Sequence, residues 1–267
     1  MASRWQPFLL APALVVFAAF WLLPMARLIA LPAEKAWDSY FVVLTQPAYL
    51  LSLINTLLLS LAVTLVSLVL GAAVGLFLAR HRFAGRRMLL GVLTLPLSFP
   101  GVIIGFFVIL LGGRQGLIPS LSDTMGFGRW TFAYSFIGLF LAYVYFSLPR
   151  AISAYAAAAE AIDVSLEDCA RTLGASAWHI VRDVWIPELA PTTIACGAII
   201  FATAMGAFGT AFTLASKFDV LPITIYSEFT NYANFAFAAS LSISLGLVTW
   251  AALALSRRKG AYAALGL

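Results

Sequence analysis

The chain has 267 residues, 63% of them hydrophobic and 10% charged, with a mean hydropathy of +0.98. Soluble domains are about 25% charged, so a chain this poor in charge cannot cover a water-facing surface, and lipid is its main solvent. The net charge of +5 does not point to nucleic acid as a partner, because the basic residues lie in short runs between apolar stretches and form no single patch.

Six stretches are long and apolar enough to cross a bilayer at about 20 residues per crossing. They are Phe8–Ile29, Leu53–Ala79, Leu89–Leu111, Phe132–Leu148, Thr192–Leu214 and Phe235–Ser256. The first is too long for a signal-peptide core and no clean small-x-small cleavage site follows it, so it is read as an uncleaved span. The second and third carry Gly71-x-x-x-Gly75 and Gly101-x-x-x-Gly105, small faces that permit close helix contact, within one subunit or between subunits. Pro96 and Pro100 interrupt the third span and predict a bend there, with Ser98 between them as a candidate for the lining of a pathway. Trp5, Trp37, Trp130 and Trp250 fall near span ends, where an indole prefers the membrane interface. The pattern predicts an all-α integral membrane protein with one transmembrane domain over residues 1–267.

Lys and Arg counts orient the chain. Arg4, Arg80, Arg82, Arg86, Arg87, Arg150, Arg171, Arg182, Arg257, Arg258 and Lys259 would lie on one side, eleven of the sixteen basic residues; Arg27, Lys35, Arg114, Arg129 and Lys217 would lie on the other. The richer side is the cytoplasm, which places both termini and the long connection 150–191 inside the cell.

That connection contains LEDCARTLGASAWHIVRDVWIPELAP, Leu166 to Pro191. Ser165 and Asp168 have the spacing of a capping box at a helix start. Leu166, Ala170 and Leu173 share a face, and Gly174 suits the left-handed turn that closes a helix. Ser176 is placed to cap a second short helix reaching about Trp185, with Pro187 and Pro191 expected to end it and return the chain to the membrane. A helix–turn–helix with apolar residues at helical spacing is a rigid part that can seat in a partner's groove; a solvated connector needs none of these features.

The same segment resembles the "EAA" loop of permease subunits in type I binding-protein-dependent ABC importers. The family triplet falls on Asp168-Cys169-Ala170, its glycine on Gly174, and its I-x-L-P on Val184-Trp185-Ile186-Pro187, with Asp for Glu, Cys for Ala, Val for Ile and Ile for Leu. The resemblance implies the six-helix permease fold in a bacterial inner membrane and a coupling loop that the cytoplasmic ATPase dimer grips. Asp168, Cys169, Ala170, Arg171, Gly174, Ala175, Trp178, Arg182 and Pro187 are its candidate contacts. It also implies a second permease subunit, similar but distinct, and a periplasmic solute-binding protein. LPITIYSEFTNYAN, Leu221 to Asn234, is similar to the stretch before the last span in permeases for polyamines, iron and phosphonates, which leads to the expectation of a small charged solute of that kind.

The sequence contains no G-x-x-x-x-G-K-[ST], and none of its lysines (Lys35, Lys217, Lys259) follows a glycine, so no P-loop forms in this chain and ATP is expected to be bound by a partner. No other cofactor is implied. His81 and His179 are far apart, and Cys169 and Cys196 lie in a loop and a span, so no metal cluster or disulfide is expected. The absence of nucleophile motifs argues against a membrane enzyme, and the scarcity of ionisable groups in the spans argues against a stand-alone proton-coupled carrier. Polar residues within the spans (Asn55, Ser60, Thr64 and Ser67 in the second; Thr203, Thr210 and Thr213 in the fifth; Ser240 and Ser244 in the sixth) are pathway candidates, the alternative for the hydroxyls being a bond to a carbonyl one turn back. Thr203, Thr210, Ser240 and Ser98 are the foremost pathway candidates, with Phe208, between Gly206 and Gly209, as a candidate gate.

Overall fold

The computed structural model describes residues 6–215 and 218–264, with side-chain environments from 11 to 256 outside 216–217. Trp5, and Arg4, Lys217, Arg257, Arg258 and Lys259 of the charge count, lie outside the residues so described. Among the described residues every regular element is helical, as hydrocarbon demands of a chain that must satisfy its own backbone hydrogen bonds.

The first span joins α1 (Gln6–Phe17), a π turn (Ala18–Leu22) and α2 (Leu23–Lys35). A 3-10 turn and α3 (Val42–Thr45) lead into α4 (Pro47–Arg80), a 34-residue second span. Next come α5 (Arg86–Thr94), a 3-10 turn (Leu95–Ser98), α6 (Gly101–Gly112) and α7 (Leu117–Thr124), then α8 (Phe136–Ala161) as the fourth span. The long connection contains α9 (Val164–Thr172) and α10 (Ala177–Ile180), from which a π turn (Val181–Trp185) runs into α11 (Ile186–Met205). The chain ends with α12 (Phe208–Leu214), α13 (Leu221–Thr230) and α14 (Phe235–Ala264).

Six segments are long and apolar enough to cross a membrane, the number read from the sequence, but their boundaries move, the second beginning already at Pro47. The third span runs from Gly101 to Thr124, because Pro100 is extended (φ −58°, ψ 147°) and breaks the helix where a bend was expected. Leu89–Thr94 therefore belongs to a separate amphipathic helix. The fourth span continues past Pro149 to Ala161, which takes Arg150 out of the connection and into the helix. The fifth begins at Ala177 and stops at Met205, and Phe208–Leu214 forms its own short helix. The first ends later than read, at Lys35.

Pro187 and Pro191 do not end a helix. A proline ring collides with the carbonyl four residues earlier and supplies no N–H. A π turn widens the backbone just before Pro187, and another just before Pro24, so each helix carries its proline at the first positions after the turn and continues. The loop and the fifth span are thus one continuous rod, Ala177–Met205.

The core lies where α4, α6, α8, α11 and α12 meet, around Leu59, Val63, Ile104, Leu139, Ile200 and Leu214. Both glycine pairs serve packing within the subunit. A Cβ on Gly71 would lie 2.4 Å from the Ala151 Cβ, and one on Gly75 would lie 2.7 Å from the Tyr155 Cβ, so α4 and α8 touch backbone to side chain. Gly101 and Gly105 meet Thr210 and Thr213 of α12 in the same way. Ser60 and Ser67 are fully buried on the α4 core face, and Thr64 bonds the Ser60 carbonyl, so these hydroxyls face the packing and not a pathway. The first span is peripheral: Phe20 is 80% exposed, which suits a lipid-facing surface.

Gly71→Leu is expected to disrupt the α4–α8 contact at a cost of about 1–3 kcal/mol or more, seen as loss of a monodisperse peak in detergent chromatography. Gly91→Ala, where an added Cβ meets nothing within 4 Å, leaves that peak unchanged.

Candidate functional site

Two places bring functional side chains together: the α9–α10 segment at one end of the bundle and a cleft midway along the spans. At the first, the capping differs from the sequence reading. Asp163 is the N-cap, its carboxylate accepting from the Ser165 N–H at 2.9 Å, and Ser165 sits inside the first turn. The backbone bond from Ser165, then the bond from its side chain, holds the Asp163 carboxyl below the usual carboxylate range. A lowered value means that the cap contributes fully above the unfolded-state pKa and fades as pH falls through the folded one. Asp168 is free of the capping role; it is 65% exposed and accepts from Arg171 at 3.2 Å.

The helix closes as its glycine foretold. Gly174 takes φ +81°, its N–H bonds the Arg171 carbonyl at 3.0 Å, and the Ala175 N–H bonds the Ala170 carbonyl at 3.0 Å. These are the two bonds of a Schellman closure. Ser176 occupies the N-cap of α10, but its hydroxyl bonds His179 Nδ1 at 2.8 Å instead of a backbone N–H.

Glu167 holds this segment to the bundle, and sequence reasoning missed it. Its side chain is 5% exposed and receives Arg80 of α4 at 2.5 Å, Trp185 Nε1 at 2.9 Å and Arg171 at 3.4 Å. The one sequence signal was a second carboxylate beside Asp168, four residues before an arginine; nothing in the sequence marks Arg80, 87 positions away, as its partner. Arg86 pairs with Glu160 and bonds the Leu78 carbonyl, so the α4–α5 turn is fastened to α8 as well.

With Glu167 turned inward, the outer surface is apolar and small. Leu173 is 87% and Trp178 66% exposed, Leu166 is 45% exposed, and Cys169 is exposed between them. Ala170 and Ala175 are half-buried, and no atom lies within 4 Å of a Cβ built on Gly174. Arg182 lies 3.5 Å from Asp183 in the π turn, and Pro187 is exposed just beyond it.

The second place lies where α11 stops at Met205. Ala207, between α11 and α12, is extended (φ −74°, ψ 92°), and its carbonyl accepts from Tyr143 OH at 2.5 Å. A cavity of about 230 Å³ opens beside this break, lined by Gly101, Tyr143, Ser147, Thr203 and Thr210 among others. Thr203 and Thr210 are therefore neighbours there. Thr210 is buried and donates to the Gly101 carbonyl at 2.9 Å, so its hydroxyl joins α12 to α6. Phe208 is 37% exposed and packs with Phe212 and Tyr226 at centroid distances of 5.4 and 5.3 Å. Ser98 is exposed in the 3-10 turn and does not line this cavity. Ser240 is buried far from it, donating to the Ser39 carbonyl at 2.5 Å, a structural bond.

The sequence profile of the family described as "Binding-protein-dependent transport system inner membrane component" matches residues 71–259, a stretch that takes in the anchored segment and the cleft. The chain belongs to this family. It is a transmembrane permease subunit of an ABC importer and a multi-pass inner-membrane protein. The permease is 34% identical over 215 residues to the "Molybdenum transport system permease protein ModB" of Escherichia coli (strain K12), covering 78% of this chain and 92% of that one. It is 27% identical over 235 residues to the "Sulfate transport system permease protein CysT" of the same strain, covering 84% and 81%. Among solved structures, the permease superposes on a chain of a bacterial ABC transporter involved in the import of the acidic polysaccharide alginate, with TM-score 0.82, 19% identity, and 94% and 93% coverage. The MetNI methionine ABC transporter gives TM-score 0.60 at 18% identity, covering 78% and 93%. At such identities the last two establish the fold alone. None of these relatives is named for polyamine, iron or phosphonate transport, so the solute expected from Leu221–Asn234 finds no support.

Glu167→Gln is expected to leave Arg80 as an uncompensated, largely buried charge, a loss of about 3–5 kcal/mol for a fully buried pair and less here because Arg80 is 19% exposed. Hydrogen exchange of residues 163–185 should then rise while that of α4 stays low.

Proposed function

We propose that this permease subunit carries a small tetrahedral oxyanion, of the sulfate or molybdate type, across the inner membrane. The observation that supports the solute class is the 34% identity to a molybdenum-system permease over most of both chains, joined by the match to sulfate-system permeases. Molybdenum in neutral water is a tetrahedral dianion of the same charge and shape as sulfate, so one route suits both.

In this reading both termini and the α9–α10 connection between the fourth and fifth spans face the cytoplasm. A dimeric ATPase, a separate polypeptide that binds all the ATP, receives the α9–α10 surface in a groove. Asp168, Cys169, Ala170, Arg171, Gly174, Ala175, Trp178, Arg182 and Pro187 form or shape the contact, and Leu173 adds its apolar centre. What supports this role is mechanical. The surface is fixed to α4 through Glu167 and is continuous with the fifth span through the π turn, so displacement of α9 pulls on α4 and α11 together. A second permease subunit, similar but distinct, completes the pathway, and a periplasmic binding protein delivers the solute. This chain catalyses no covalent step and holds no cofactor.

Purification of the native complex in mild detergent, followed by mass spectrometry, identifies the ATPase and shows whether the second permease is another gene product or a second copy. Leu173→Asp and Trp178→Asp place a charge at the centre of the docking surface and are expected to reduce co-purifying ATPase by about tenfold or more, since buried interface anchors contribute about 2 kcal/mol or more. Membrane insertion should be unchanged. Gly174→Val, forced into a left-handed conformation at about 1–2 kcal/mol, should weaken coupling, while Gly174→Asn preserves it. Normal ATPase retention by both charged variants would remove the docking role.

A further inference from the structure

Arg150 is the charged residue that the permease role does not yet use. It lies 11 residues before the end of α8 and 14 after its start, about 16 and 21 Å along the helix by its rise per residue. An arginine this far inside a spanning helix is costly unless something in the protein repays its desolvation, and it usually marks a solute or ion route. All eleven carboxylates of the chain are among the described residues, and none is within ion-pair distance of Arg150, although six other arginines have such partners. Its guanidinium makes one hydrogen bond among the described residues, Nη1 to Thr203 Oγ1 at 3.3 Å, and lies 5.8 Å from the Phe146 ring centre. A guanidinium has five N–H donors, so most of its capacity is unused.

The surroundings are those of a polar cleft. Thr203 and Phe146 both line the cavity at the α11–α12 break, together with Ser147, which is 2% exposed, and three glycines. Thr203 donates its own proton to the Ile199 carbonyl at 2.7 Å, which leaves its lone pairs for Arg150 and ties the guanidinium to a residue of the cavity wall. Thr210 and Tyr143 are committed to backbone carbonyls, leaving Ser147 in the cavity lining and Arg150, bonded to the lining residue Thr203, as the groups able to meet a solute.

We propose that Arg150, positioned by Thr203, is an anion-contact point on the solute's route through this permease. The proposal rests on the oxyanion reading above and adds to it a residue and a place. A dianion presents the oxygen acceptors that a guanidinium matches, and a half-exposed arginine bonded to a hydroxyl holds such an anion weakly enough to release it. The fold supplies the contact by breaking a helix at Gly206, which opens the cleft, and by carrying α8 past Pro149, which places the charge beside Thr203 of the cleft wall.

The test uses the complete importer, purified with its ATPase and binding protein and reconstituted in proteoliposomes, with radiolabelled sulfate and molybdate as probes. Arg150→Gln is expected to reduce uptake about tenfold or more, the loss of one charge-assisted contact, while stimulation of ATP hydrolysis by the loaded binding protein persists. Arg150→Lys should retain an intermediate rate, because the charge remains and the fork geometry is lost. Thr203→Val, which removes the positioning bond together with the bond to the Ile199 carbonyl but keeps the charge, should show a smaller loss. Uptake by Arg150→Gln within twofold of wild type would overturn the proposal while leaving the oxyanion reading intact. A wild-type complex that moves neither anion would overturn that reading, and the proposal with it. If Arg150→Gln does not assemble, Arg150→Lys and Thr203→Val decide: full uptake by both overturns the proposal.

Discussion

Glu167 receives donors from three directions, with Arg80 at the end of the second span, Trp185 in the turn before the fifth, and Arg171 on its own helix. A carboxylate at 5% exposure is tolerated only when its charge is matched and its lone pairs are used. Here that condition can be met only if α9 lies across the ends of α4 and α11. The segment's orientation follows, and so does the identity of its outer face, because turning Glu167 inward leaves Leu173 and Trp178 outside. An apolar face on a charged connector is unstable in water alone and suits a surface that another protein covers.

The second constraint is set by prolines. Pro24 and Pro187 follow π turns and leave their helices unbroken, whereas Pro100 stands extended and ends one. The difference is mechanical in effect. At Pro187 continuity makes the loop and the fifth span one rod, so a push at the connector reaches Thr203. At Pro100 the break frees α6 to pack its glycines against α12, where Thr210 caps the contact by bonding the Gly101 carbonyl. The rod stops at Met205, and the polar cleft opens beside that stop.

Much of this was legible in the sequence. The number of spans follows from hydropathy because hydrocarbon admits few alternatives. Gly174 announced a left-handed residue after a helix with Asp168, Ala170 and Arg171 on it, and it has φ +81°. The capping assignment was off by two residues, because Asp163 and Ser165 are both good caps and only the path of the chain leaving α8 decides between them. Arg150 was read as the start of the cytoplasmic connection, since an arginine after Leu148-Pro149 looks like the end of a span. α8 continues because its next residues, Ala151 to Ala159, pack against Gly71 and Gly75 of α4, a contact that hydropathy does not record.

By itself the sequence determined the solvent, the six crossings, the asymmetry of charge and the local grammar of the α9–α10 segment, since each depends on the composition of a window a few residues to a few turns long. Only the tertiary structure decided that Glu167 meets Arg80, that the glycine faces serve α4–α8 and α6–α12 packing, and that Arg150 bonds Thr203 of the cleft wall. These are contacts between residues 53 to 109 positions apart. They form because packed helices bring distant turns to the same height, and a linear pattern carries no information about height.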